Sequence, residues 1–437
     1  MTGAHPVAAT SAGPVDATLS GSRLRRALTG PVPLCAAFLA VHLVLAALNL
    51  FDQAHHPMGD VTGVYRAWVD EWRATGLLVG IDASSVYPVG ALLPILAAGM
   101  FGDGPYPLAW LGIVVLLDAV AIVLLARRSL PLAWWWIAFT ACLGPIALGR
   151  IDSIALPVAI AGVLVVASRP AVASALFTVA AWIKVWPAAL VVAMLVAGRR
   201  TAAVLTAAAV TSAVFVATAL LAGAGGNVFS FVSAQAGRGL QVEAPVTSLW
   251  LWEAAAGVGG TTVYYDQDLL TFQVIGRGVA DAAAGMTVVL AVAVLTICGL
   301  GLLARRRGAN PGEVLALTAL GFVGAAIALN KVGSPQYCTW YVAPVLLGLL
   351  AAPRRFRLPA GLVLIIAALT QAIYPWLYDA VLEVRPAALV LLDVRNLLEL
   401  VLLGWTLAAL AVLQRPALTE PRPEAGPTPA GRAVPAA

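Results

Sequence analysis

The stretch HHPMGDVTGVYRAWVDEW (His55–Trp72) directly follows the first long apolar run of the chain. It holds two of the four histidines, the carboxylates Asp60, Asp70 and Glu71, and a run of aromatic residues, in a chain otherwise rich in Ala, Val and Leu. A polar, aromatic segment that opens where an apolar run ends reads as the first loop of a membrane protein. Its placement decides how the rest of the chain is threaded.

The 437 residues are 61% hydrophobic and 11% charged, with a mean hydropathy of +0.93. Ordinary soluble domains carry about 25% charged residues. Apolar runs of about 20 residues, the length of a membrane-crossing helix, recur along the chain. The composition excludes a soluble multi-domain protein and implies an all-α polytopic membrane protein. The net charge of +5 does not point to nucleic acid, because the arginines sit in short clusters between apolar runs, where they set orientation. Cys35, Cys142, Cys298 and Cys338 have no metal-ligand or redox spacing and read as small buried hydrophobes.

Residues 1–30, rich in Ala, Ser, Thr and Gly and ending near Arg23, Arg25 and Arg26, are expected to form a disordered cytoplasmic N-terminus. The apolar run at 31–51 is longer than a secretory h-region and reads as an uncleaved anchor. Residues 31–413 form the membrane domain, with a first outer loop at about 51–105, and 414–437 are a Pro- and Ala-rich cytoplasmic tail. The short run YPVGALLPILAAGMF (87–101) is placed half-embedded, since a full crossing would put Arg127 and Arg128 outside. About 12 spans result: 31–50, 106–126, 131–149, 152–168, 171–185, 187–198, 201–223, 279–303, 313–329, 339–352, 358–376 and 386–413. Most of the 26 basic residues then lie on the cytoplasmic side of the plasma membrane.

This threading collects the remaining chemistry on the extracytoplasmic face. Both lysines, Lys184 and Lys331, fall at outer ends of spans, with Arg150, Asp152, Arg238, Glu243, Arg385, Asp393, Arg395 and Glu399. Such groups near membrane depth usually face a cavity or a partner. Val61, Tyr65, Trp68 and Trp72 recur at helical spacing and predict an interfacial helix. Asp60, just before them, reads either as a helix N-cap or as a general base above the membrane. His55 and His56 read as loop histidines, without metal-ligand spacing. Lys184, between Trp182 and Trp186, reads as a snorkelling cation or a charge for a lipid phosphate. Arg150 and Asp152 in GRIDSIALP (149–157) read as an ion pair capping the next helix. RGLQVEAPVTSLW (238–250) and NKVGSPQYCTWYVAP (330–344) are polar, aromatic loops long enough to shape a pocket.

At GDVTGVY (59–65), YPVGALL (87–93), RGLQVEAP (238–245) and KVGSPQYCTWYVAP (331–344) the chain resembles the polytopic GT-C glycosyltransferases, and within them glycosyltransferase family 87. The segment 149–190 fits more loosely. The resemblance implies inverting transfer of a sugar, mannose first, from a polyprenyl-phosphate donor to a cell-envelope glycan or glycolipid acceptor, with membrane lipid as the setting. It implies Asp60 as general base. It implies Lys184, Lys331 and Arg238 as phosphate-binding groups. It places Tyr65, His55, His56, Arg150, Asp152, Gln241, Glu243, Ser334, Gln336, Tyr337 and Trp340 around the substrates. No cofactor is expected, and a divalent metal is left open. The family pattern reads Gly-Gln-x-Asn where this chain has GRID, and Val-Glu-Ser where it has Val-Glu-Ala, which bears on the sugar and the acceptor. The alternatives are an arabinofuranosyl donor and a transporter of lipid-linked sugars. A transporter calls for inverted repeats and midplane polar groups. The clear mid-span acid here is Asp118, and no repeat is evident.

Overall fold

The computed structural model describes residues 30–414 except 53, 103, 199 and 268, so the disordered ends expected at 1–30 and 414–437 lie almost wholly outside the described residues. The first part of the chain forms α1 (Pro31–Phe51), α2 (Arg66–Thr75), α3 (Leu92–Gly99), α4 (Tyr106–Arg128), α5 (Leu130–Leu143), α6 (Asp152–Val165), α7 (Pro170–Ile183), α8 (Ala188–Ala197) and α9 (Thr201–Leu221). After the short α10 (Ser230–Ala236) and α11 (Ser248–Ala255) comes an antiparallel hairpin, β1 (Thr262–Asp266) and β2 (Thr271–Ile275). The chain ends in α12 (Val279–Arg306), α13 (Pro311–Ala328), α14 (Val342–Ala351), α15 (Pro353–Gln371), α16 (Tyr378–Leu382) and α17 (Pro386–Ala411). The protein is an all-α polytopic membrane protein, and among the described residues seven helical stretches are long and apolar enough to cross a bilayer, counting α5 with its following turn to Ala147 and α15 with its following turn to Trp376.

Local sequence sets the helix ends. Prolines near the starts of α1, α5, α7, α13, α15 and α17 occupy positions where a missing N–H costs nothing. α5 stops before its expected end at 149, because Gly144 takes a left-handed φ of 74° and Pro145 follows it. The hairpin was not anticipated. Its signal was present in TTVYYDQDLLTFQVI, where β-branched and aromatic residues flank a polar turn.

Four apolar helices are too short to span alone. α6, α7, α8 and α14 have 14, 14, 10 and 10 residues, or roughly 15–21 Å, against a hydrocarbon core of about 30 Å. Asp152 at the start of α6, Lys184 just after α7, Trp186 just before α8 and Trp340 just before α14 lie in mutual contact. The four short helices therefore end around one recess. The 87–101 run packs as α3 with a tight turn before it, where a Cβ on Gly90 would stand 2.6 Å from the Trp182 carbonyl oxygen.

Away from the recess, a polar pair ties α1 to α4 near their midpoints. His42 Nε2 lies 3.0 Å from Asp118 Oδ2, and His42 Nδ1 lies 2.9 Å from the Phe38 carbonyl. Both side chains are buried. Both ring nitrogens face acceptors, so the imidazole and the carboxyl satisfy each other as buried polar partners. Removing one partner strands the other in hydrocarbon. His42→Leu or Asp118→Leu alone is predicted to cost on the order of 3 kcal/mol, and the double variant to recover most of it. Thermal unfolding in detergent of the wild type, both single variants and the double checks this, and additive losses would contradict it.

Candidate functional site

The recess is organised by Arg150. Its turn, 144–151, lies between α5 and α6, and its side chain is 8% exposed. Nη1 donates to the carbonyls of Pro57 and Gly149, each at 2.9 Å. Nη2 donates to the Tyr374 hydroxyl at 2.9 Å. Nε lies 3.3 Å from Asp60 Oδ2. One guanidinium thus joins the first loop, the α5–α6 turn and the turn after α15. Burial works against its charge, but Asp60 together with Tyr374, Tyr65 and Tyr87 more than offsets this, and the guanidinium is held above its ordinary value.

Asp60 opens a π-type turn, Asp60–Tyr65, and makes no side-chain cap. Its carboxylate goes to Arg150 and stays about one-third exposed. The cap reading of Asp60 therefore does not hold, and neither does the Arg150–Asp152 pair. The wide turn also changes which stripe faces inward. Val61, Tyr65 and Val69 are buried, while Trp72 is 42% exposed. Tyr65 accepts from the Ile151 N–H at 3.2 Å and donates to the Tyr87 hydroxyl at 3.4 Å. Burial pushes both phenols above their ordinary range, so both act as neutral hydrogen-bonding groups.

Asp152 is fully buried and faces a different cation. Trp340 Nε1 donates to Oδ1 at 2.6 Å, and Lys184 Nζ lies 3.9 Å from Oδ2. That second contact is electrostatic, too long for a hydrogen bond. Lys184 sits 4.6 Å above the Tyr87 ring and 5.9 Å from the Tyr337 ring. Its side chain is 15% exposed, so it points into the recess and does not snorkel. Trp186 stacks on Trp340, and Trp340 on Tyr337, whereas Trp182 packs away against Phe215. The charges of Asp152, Asp60, Arg238 and Arg150 all bear on Lys184, so these groups share one field.

The two polar loops are joined. The Gln241 N–H donates to the Lys331 carbonyl at 3.0 Å. With its amide oriented to satisfy its partners, the Gln241 side chain donates to the Gly333 carbonyl at 2.9 Å and accepts from Arg238 Nη1 at 3.2 Å. A Cβ on Gly333 would meet the backbone of Glu243 and Ala244, so this approach requires glycine. Ser334 donates to Gln336 at 2.7 Å. His55 bonds to Asp52 at 3.0 Å and packs edge-on against Trp376, while His56 is exposed.

Glu243 faces a second guanidinium. Arg395 Nη2 lies 3.7 Å from Glu243 Oε2 and Nη1 lies 3.4 Å from Glu399 Oε1. Arg395 and Glu399, expected at the outer end of a span, are buried, and Asp393 accepts from Trp252 Nε1 at 2.7 Å. One cation cannot neutralise two carboxylates. Tyr374, Trp376 and the hairpin were missed as site neighbours, since nothing local in their segments ties them to Arg150 or Asp60. Among the described residues, no three His, Cys, Asp or Glu side chains gather as a metal site.

Comparison with known proteins then speaks to the class. The family model of glycosyltransferase family 87 matches residues 86–265. The match covers less than half of the chain, and together with the apolar helices it supports a membrane glycosyltransferase. The family 87 region runs from beside Tyr87 to β1, takes in Arg150, Asp152, Lys184, Arg238, Gln241 and Glu243, and leaves Asp60 and the 330–344 loop outside it. No curated protein and no solved structure matches the chain.

Two outcomes follow from the electrostatics. Arg150→Ala removes the partner of Asp60 and the donor to three oxygens, at a predicted cost on the order of 3 kcal/mol. A melting temperature equal to wild type would contradict the role of Arg150 as a staple. Burial pushes Glu243 up to about 7 from an ordinary 4.5, with Arg395 drawing it back down. A raised carboxyl contributes stability that is full below about 4.5 and is lost as pH rises through about 7. The wild type is therefore predicted to lose more thermal stability than Glu243→Gln between pH 4.5 and 7.5. Parallel curves would contradict this.

Proposed function

We propose that this glycosyltransferase moves mannose from a polyprenyl-phosphate donor to a hydroxyl of a glycan or glycolipid acceptor at the extracytoplasmic face of the plasma membrane. The observation that carries the donor class is a cavity of about 530 Å³. Its lining joins Arg238 and Lys331 to Ala280, Ala283, Ala284, Thr287 and Val288. The five α12 residues follow a spacing of three and four and so occupy one face of the helix. α12 is among the least covered spans, with 11% of its apolar window buried. Two cations beside an apolar, lipid-facing furrow match an anionic phosphate with a hydrocarbon tail.

The chemistry fits these groups. The bond between sugar C1 and the phosphate oxygen breaks, and the electron pair leaves with polyprenyl phosphate. The acceptor oxygen bonds C1 from the opposite face, which inverts the anomeric centre. Asp60 takes the acceptor proton. Arg238 and Lys331 stabilise the charge gathering on the departing phosphate. Lys184, already facing Asp152, adds positive potential beside them without being the main phosphate ligand. Tyr337 and Trp340 hold Lys184 and Asp152 in register.

The test offers purified protein in nanodiscs polyprenyl-phosphate mannose and polyprenyl-phosphate arabinose in parallel, with lipid-anchored glycan acceptors. Product from the mannosyl donor alone is expected. Arg238→Ala and Lys331→Ala are each predicted to raise the donor KM about tenfold or more, the loss of one charge-assisted phosphate contact, with the acceptor KM little changed. Product only from the arabinosyl donor would replace mannose by arabinose, and donor kinetics unchanged in both variants would remove the phosphate from this cavity.

A further inference from the structure

We propose that a track of aromatic rings running from the β hairpin to Arg150 is the binding site for the acceptor's glycan chain. This rests on the glycosyltransferase reading above and assigns the acceptor a place that the donor cavity does not use. Tyr265 and Phe272 are cross-strand partners in the hairpin register, with ring centroids 4.9 Å apart. The Phe272 ring meets Tyr378 edge-on at 6.1 Å, and Tyr378 meets Tyr374 at 5.1 Å. Tyr374 receives the Arg150 hydrogen bond, its ring lies 5.7 Å from the guanidinium carbon, and Arg150 holds Asp60. The rings form an unbroken series from an outer loop to the candidate base. Trp376, on the same turn as Tyr374 and edge-on to His55 at 5.2 Å, flanks its inner end.

Packing alone does not account for the outer end of this series. Val263 and Val274 share the hairpin face with Tyr265 and Phe272 by the period of two, and they join the core built around Leu240, Val242 and Trp250. That inner half is filled by aliphatic contact. The outer half carries a tyrosine that remains 46% exposed, and the adjacent Tyr264 is 40% exposed. Gln273, on the opposite face, is buried and donates to Asp266 at 2.9 Å, which fixes the strand end that carries Tyr265. A sugar presents an apolar C–H face and a rim of hydroxyls. Tyrosine offers the complementary surface at low conformational cost, with its ring against the C–H face and its hydroxyl toward the rim. The ring spacing is comparable to the repeat of a pyranose chain, so the three ring-to-ring steps provide subsites behind the reacting sugar.

The test uses the full chain in nanodiscs, alkyl-linked mannose disaccharide and hexasaccharide as acceptors, and the variants Tyr265→Ala and Tyr265→Phe. Tyr265 is exposed at a strand end, so both variants are expected to fold. The wild-type KM is predicted to be lower for the hexasaccharide than for the disaccharide. Tyr265→Ala is predicted to raise the hexasaccharide KM about fivefold, the scale of one lost ring contact, and to leave its kcat and the disaccharide KM unchanged. Tyr265→Phe is predicted to behave as wild type. Equal wild-type KM values for the two acceptors, or an unchanged hexasaccharide KM in Tyr265→Ala, would overturn the track. Saturation-transfer NMR of the free hexasaccharide, without donor, separates the two readings. Binding that is lost in Tyr265→Ala while no donor is turned over would uphold the track and fail the donor reading. Absence of hexasaccharide binding to the wild type would overturn the track whatever the donor does.

Discussion

The guanidinium of Arg150 is the constraint on which the site depends. It is buried, so its charge has to be matched, and the match is Asp60 on a different segment. Its remaining donors fix the Pro57 carbonyl and the Tyr374 hydroxyl. Three stretches far apart in the chain are thereby held at one point. Asp152 is left to Lys184, and the result is an alternation of two acids and two cations in a walled recess. An unmatched charge at that depth would be costly, and this alternation removes the cost while leaving the Asp60 carboxylate partly open.

The recess itself comes from helix length. The four short helices end where the charged groups meet. A polar site can exist at membrane depth only where protein surrounds it or water reaches it. Ending several helices early creates such a place and supplies loop residues to line it. The close approach at Gly333 and the Gln241 bonds then join the two polar loops across it.

Much of this was legible before any geometry was known. Apolar runs sufficed to place most helices to within a few residues, because hydrophobic length acts locally, but four of the about 12 expected spans, at 152–168, 171–185, 187–198 and 339–352, are helices too short to cross alone. Asp60, Lys184 and the two polar loops stood out because polar residues are conspicuous in so apolar a chain. The pairings were not legible. Arg150 looked like the partner of Asp152, two residues on, and pairs with Asp60 instead. Asp118 was visible as a mid-span acid, but its partner His42 was not. Arg395 and Glu399 were expected at the outer end of a span, but that Arg395 faces both Glu243 and Glu399 was not evident. In each case several partners were compatible with the sequence, and the packing of distant helices made the choice. The hairpin escaped because five-residue strands carry little signal beside spans of twenty.

The central claim is that Asp60 takes the acceptor proton during transfer from the lipid-linked donor. The most direct measurement is turnover of Asp60→Asn at saturating donor and acceptor, beside a thermal melt that shows the variant folded. Asparagine keeps the size and a hydrogen-bond acceptor for Arg150 but cannot hold the proton. The account predicts a loss of about 100-fold or more in kcat, the usual scale of general-base catalysis, with donor binding retained. Turnover at the wild-type rate by a folded Asp60→Asn protein would contradict it.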